Sequence, residues 1–107
     1  MLRLSRKTLL ALEAVIDIAY NARAGGKILS RYWTDYAVPH REQEKGGSPD
    51  ALARATYAAY NGGPGGLSRY RERGRSKRER AVDDDFFAKY RRMKAGDMLA
   101  VVDCFGD

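Results

Sequence analysis

Residues 55–65, Ala-Thr-Tyr-Ala-Ala-Tyr-Asn-Gly-Gly-Pro-Gly, constrain this chain more than any other stretch. Alanine and tyrosine build the end of an apolar helix, and a glycine-rich turn stops it. Asn61, Gly62 and Gly63 tolerate the left-handed backbone that a helix C-terminus often adopts. Pro64 bars a restart without a bend. The expected geometry sets a phenol, Tyr60, and a carboxamide, Asn61, on the last turn of a buried helix beside open backbone. A capped helix end is the plain reading of this pattern; a positioned pair of polar side chains is the functional one.

Helical spacing recurs on both sides of that turn. Residues 8–18 carry Leu9, Leu12, Val15 and Ile16 on one face, with Ser5 placed to cap the helix. Residues 21–38 form the strongest pattern: Ile28, Leu29, Tyr32, Trp33 and Tyr36 share a stripe, and Pro39 ends it. Residues 40–49 read as a solvated polar loop. Ser48 is the expected N-cap of the next helix, with Pro49 at its first position and Asp50 favourable to the dipole. In that helix, 49–60, Leu52, Ala55, Thr56, Ala59 and Tyr60 point inward. Residues 67–80 are basic and poor in apolar side chains, and 76–80 read as a surface loop or solvated turn. Residues 83–94 read as a closing helix with Phe86, Phe87, Tyr90 and Met93 as its contacts and Gly96 at its end. A short apolar run at 98–105 is placed to cover a core edge. The expected fold is all-α.

At 107 residues the chain holds one domain, 1–107, with a C-terminal tail at 97–107. The net charge of +6 favours anionic or neutral polymers as partners. One cysteine, Cys104, and one histidine, His40, exclude an internal disulfide and a metal site built on cysteine pairs or histidine clusters. No cofactor is expected. No stretch reaches the roughly 20 apolar residues of a membrane span, and Glu13 and Asp17 interrupt the one run that starts as a signal peptide does.

The turn sequence Ala-Tyr-Asn-Gly-Gly-Pro-Gly resembles the Ala-Tyr-Asn-x-Gly motif of the soluble lytic transglycosylases, lysozyme-like enzymes that cleave peptidoglycan. Residues 18–25, Ile-Ala-Tyr-Asn-Ala-Arg-Ala-Gly, are similar to the family segment in which Asn, Ala and Gly open the preceding helix. Leu67-Ser68-Arg69-Tyr70-Arg71 and Asp84-Asp85-Phe86-Phe87-Ala88-Lys89-Tyr90 are similar to the segments downstream of the turn in one subgroup. The match spans 17–96, with 1–16 only loosely similar to the region around a Gly-Leu-Met-Gln stretch. The family's catalytic glutamate lies in a Glu-Ser pair upstream of that stretch, and no Glu-Ser occurs here. The resemblance therefore implies the C-terminal half of a lysozyme-like domain, truncated or inactive alone. It also implies peptidoglycan glycan strands as the partner, a bacterial periplasm or cell envelope as the location, and self-association or a partner supplying the missing half.

The resemblance carries particular residues with it. Tyr60 and Asn61 match the motif, where the tyrosine lies close to the catalytic glutamate and the turn helps line the glycan groove. Asn21 matches a family position, with helix N-capping as its plain alternative. Tyr57, Tyr70 and Trp33 are candidate sugar-stacking platforms, Trp33 being more simply a core residue and Tyr70 the one expected at the surface. Arg69 and Arg71 are candidates to pair with peptide carboxylates, or are ordinary solvated charge. A transglycosylase acid must be protonated near neutral pH and so needs an apolar pocket. Among the glutamates only Glu13 lies in an apolar helical pattern, and a polar-face position is its plain reading. The competing class is a basic nucleic-acid-binding module resting on the Arg- and Lys-rich run 69–80; the family resemblance makes nucleic acid the less favoured partner.

Overall fold

A computed structural model describes residues 3–20 and 25–95. The described residues contain five α-helices and no strand: α1 (Arg6–Tyr20), α2 (Gly26–Arg31), α3 (Glu42–Lys45), α4 (Asp50–Gly62) and α5 (Lys77–Lys94). The fold is all-α, as the periodicity indicates.

Ser5 caps α1: its hydroxyl oxygen accepts the Thr8 backbone N–H at 3.1 Å. The helix then runs unbroken to Tyr20, past the end of the 8–18 pattern. Neither glycine nor proline lies within residues 6–20, so nothing local interrupts it. Ala11, Leu12, Val15 and Ile16 are buried on one face.

α2 starts only at Gly26, behind an extended Gly25, so the helix expected from residue 21 is shorter at its described end. Residues 21–24, Asn21 among them, lie outside the described residues. From Tyr32 to Ala37 the helix widens into a π turn, in which the Val38 N–H donates to the Trp33 carbonyl, five residues back, at 3.0 Å. Leu29, Trp33 and Ala37 are buried, whereas Ile28 is 48 % exposed. Tyr32 and Tyr36, half-buried, meet edge-on with ring centroids 5.8 Å apart. The stripe read from the sequence therefore splits, with Leu29 and Trp33 in the core and Ile28 at the surface.

α4 is the central element. Ala51, Leu52, Ala53, Ala55, Thr56, Tyr57, Ala58 and Ala59 are all buried. Its alanines let α1, α3, α5 and the π turn approach closely, and its one large aromatic in the core, Tyr57, lies flat on Phe86 of α5. Those rings are 4.1 Å apart and 3° from parallel. α4 begins at Asp50 without a side-chain cap, so the expected N-cap at Ser48 is corrected: the Ser48 carbonyl accepts the Ala51 N–H at 3.1 Å instead.

α5 begins six residues before the expected start. Ser76 and Glu79 form a capping box, the Ser76 oxygen accepting the Glu79 N–H at 3.1 Å and the Glu79 carboxylate accepting the Ser76 N–H at 2.9 Å. Residues 77–80 are thus the first turn of a helix, and not the surface loop expected there. Phe86 and Tyr90 are buried, Phe87 and Met93 partly so. The tail at 97–107 and the expected stop at Gly96 lie outside the described residues.

Candidate functional site

The turn after α4 follows from its composition. Asn61 and Gly62 complete the last turn of the helix, and Gly63 leaves it at φ 89°, ψ 162°, a conformation that L side chains rarely adopt. Pro64–Gly66 and Arg69–Arg71 then form two short 3-10 turns. Tyr60 is half-buried and packs against the core; Asn61 is exposed. The two motif residues therefore sit where the sequence places them, side by side on the closing turn.

Two arginines hold that turn to the rest of the molecule. Arg69 is buried and gives Asp83 of α5 a bidentate pair, Nε to Oδ2 at 3.1 Å and Nη2 to Oδ1 at 2.5 Å. Its third nitrogen, Nη1, donates to the Asn61 carboxamide oxygen at 3.0 Å. Gly62 makes room for this: a Cβ there would stand 2.9 Å from the same Nη1. Asp83 also receives Arg75 at 3.3 Å. Asn61, Gly62, Arg69 and Asp83 thus form one bracket around the helix end.

Arg71 makes the second anchor. Its Nε and Nη2 donate to the two carboxylate oxygens of Glu42 at 2.9 and 3.0 Å, and the Tyr70 hydroxyl donates to Oε1 at 2.7 Å. Glu42 is 1 % exposed. Burial raises its pKa, but the hydrogen bonds from Arg71 and Tyr70 outweigh that and hold it below the usual carboxylate range. Tyr70 moves the other way: burial and the neighbouring carboxylate raise its pKa. Gly46, at the end of α3, lets Tyr70 in, since a Cβ there would lie 2.4 Å from the Ala51 Cβ and 2.5 Å from the Tyr70 hydroxyl oxygen.

Several sequence expectations are corrected by this geometry. Tyr70 is 3 % exposed and lies under the surface, because its hydroxyl has a buried carboxylate to meet. Arg69 and Arg71 are engaged with Asp83 and Glu42 and are not ordinary solvated charges. Tyr57 is a core residue stacked on Phe86, and Trp33 is a core residue, in line with its plain alternative. The polar loop expected at 40–49 contains α3 and delivers the buried Glu42. Glu42 and Asp83 do not stand out in the sequence, as their partners are remote along the chain.

Between α3 and the glycine turn lies a cleft of about 310 Å³, lined among others by His40, Lys45, Pro64, Ser68 and Arg71, with Glu42 in its wall. It offers hydrogen-bonding groups of both kinds but no protonated acid, since Glu42 is held ionised. Glu13 lies on α1 facing Gly26 of α2, well outside this cleft; a Cβ on Gly26 would stand 3.3 Å from its Oε2. Among the described residues no cluster of His, Cys, Asp and Glu has the makings of a metal site, and no helix is long and apolar enough to cross a membrane. No family model matches the chain, and no curated protein or solved structure matches it.

Proposed function

We propose that this chain is a lysozyme-like segment of the lytic transglycosylase kind, which holds peptidoglycan glycan strands at the Tyr60–Asn61 turn and does not cleave them alone. The observation that carries the reading is the join at 55–65: a buried alanine helix ends in Tyr60 and Asn61, turns at a left-handed Gly63, and is pinned by Arg69. A rigid platform of this kind suits a side chain that must meet a sugar at a fixed angle. On this reading the protein works in the cell envelope, with the acid of the reaction supplied from outside these residues. The state of the glutamates agrees with it: Glu42 is held ionised by Arg71, Glu44 pairs with Arg41, Glu79 caps α5 and Glu72 accepts from Ser68.

The nucleic-acid reading loses ground on one observation. Arg69, Arg71 and Arg75 of the basic run are bound to Asp83 and Glu42. Those guanidinium charges are already neutralised within the fold, which leaves fewer for phosphate.

Retention on purified sacculi tests the proposal. The chain should be retained, and Tyr60→Ala should lower its affinity about tenfold, the equivalent of 1.4 kcal/mol, with an unchanged circular dichroism spectrum. Retention indifferent to Tyr60→Ala, or binding to DNA that collapses steeply with salt, would overturn it. Release of anhydromuropeptides by the chain alone, abolished by Glu13→Gln, would show that the acid is present after all.

A further inference from the structure

The charges of α1 run against its helix dipole. Arg6 and Lys7 stand in the first turn, which has no acid, and Asp17 stands in the last, which has no base. Bases at a helix N-terminus and acids at its C-terminus are each the unfavourable choice. Between them the outward stripe is apolar. Leu10 is 53 % exposed. With Ala11, Ala14 and Met93 of α5 it walls a groove of about 350 Å³, and Lys7 borders it. Lys7, Leu10, Ala14 and Asp17 follow one another at steps of three, four and three, which makes a single stripe along a helix.

We propose that a second copy of this chain docks on that stripe, α1 against α1, antiparallel about a two-fold axis level with Leu12. Reversing one helix sets Lys7 opposite Asp17 of the other copy and Leu10 opposite its Ala14, and each contact occurs twice. Both pairings are centred on the same position, so one axis serves both. The large Leu10 meets the small Ala14, and the groove beside Ala14 receives it. The charges set against the dipole gain partners in the same step, basic turn over acidic turn. A parallel arrangement would put Lys7 on Lys7 and Asp17 on Asp17, so charge fixes the orientation. Asp17 needs no vacancy for this, since a carboxylate accepts more than one cation, as Asp83 does from Arg69 and Arg75. One helix pair is a small interface, so the dimer is weak and depends on concentration. The pairing is independent of what Tyr60 and Asn61 hold.

Sedimentation equilibrium of the full chain tests this, in about 0.15 M salt and up to about 1 mM protein. The mass should rise with concentration towards that of two chains and stop there, because a two-fold contact closes. Lys7→Glu alone and Asp17→Lys alone each turn both ion pairs of the dimer into like-charge contacts. Each should weaken association at least about tenfold. An equimolar mixture of the two variants, whose mean charge equals the parent's, should associate again as a heterodimer. The acid introduced at position 7 then meets the base introduced at position 17, and the native Lys7 and Asp17 meet across the other end. Arg73→Glu, at an exposed position, changes the net charge as Lys7→Glu does and should leave the dimer as it is. A parent chain that stays monomeric throughout would overturn the proposal. So would a mass climbing past two chains, an Arg73→Glu effect as large as that of Lys7→Glu, or a mixture no more associated than its components.

Discussion

Arg71 and Glu42 are 29 residues apart in the chain and are joined by two hydrogen bonds of 2.9 and 3.0 Å. The pair ties the segment after the glycine turn to α3, and Tyr70 closes it from within. A buried carboxylate in such a grip has no good alternative if its cation is removed.

Replacing Arg71 by Met should therefore cost about 2–4 kcal/mol in urea unfolding, at the lower end of what breaking a buried pair costs because the Arg71 side chain is one-third exposed. The double variant Arg71→Met/Glu42→Gln should recover part of the loss. A coupling energy near zero in the full cycle would mean that the pair contributes nothing.

The same carboxylate predicts a pH dependence. Its pKa is lower in the folded state than in the unfolded chain, so its stabilisation is present above the unfolded value of about 4.3 and is lost as pH falls through the folded one. Urea midpoints should drop below about pH 4.3 in the parent chain, and more shallowly in Glu42→Gln. At the other extreme the Tyr70 pKa is raised, so its contribution is present below the ordinary tyrosine value of about 10 and fades as pH rises through the folded value. Titration of tyrosinate absorbance should lose one late phenol in Tyr70→Phe, while Tyr90, also raised by burial, stays late.

Gly46 and Gly65 make a matched pair for the packing around Tyr70. A methyl at Gly46 would collide with Ala51 and the Tyr70 hydroxyl, whereas one at Gly65 meets nothing within 4 Å. Gly46→Ala should cost about 1–3 kcal/mol. Gly65→Ala should change stability by less than about 0.5 kcal/mol. Equal effects in thermal or urea melts would show that α3 is not packed as described.

Leu29 and Ile28 separate the core from the surface on α2. Leu29 is fully buried and Ile28 is 48 % exposed. Leu29→Ala should cost about 2–5 kcal/mol or prevent folding, and Ile28→Ala well under about 1 kcal/mol. A loss below about 0.5 kcal/mol for Leu29→Ala would place this helix in solvent.

Local signals proved readable and remote ones did not. Ser5, the stripe on α1 and the helix end at Gly63 follow from neighbours three or four residues away. The capping box at Ser76 and Glu79 has the same short reach, but the density of charge around it masked the helix start, and 76–80 read as a loop or turn. The π turn at Tyr32–Ala37 has no compositional mark, since one wider turn changes which residues face inward without changing which are apolar. Glu42 and Tyr70 are hidden for another reason. A glutamate in a polar stretch and a tyrosine between two arginines look like surface residues, and only the fold, which brings 42 to 70 and 71, makes them interior. Of the candidate site, the motif points to Tyr60 and Asn61 as residues of one helix end; the bracket of Arg69 and Asp83 that holds Asn61 has no local mark.

The enclosure of α4 bears on how this sequence can vary. Helices at a protein's surface absorb mutation on their outer side. Eight consecutive-turn positions of α4, from Ala51 to Ala59 with only Arg54 partly outside, touch neighbours on every side. Enlarging an alanine there pushes on α1, α5 or the π turn, and shrinking Tyr57 or Leu52 opens a void. Natural variants of the chain should therefore keep small residues at 51, 53, 55, 58 and 59 while the outer face of α5 drifts, so that the middle of the sequence records descent long after its flanks have lost it.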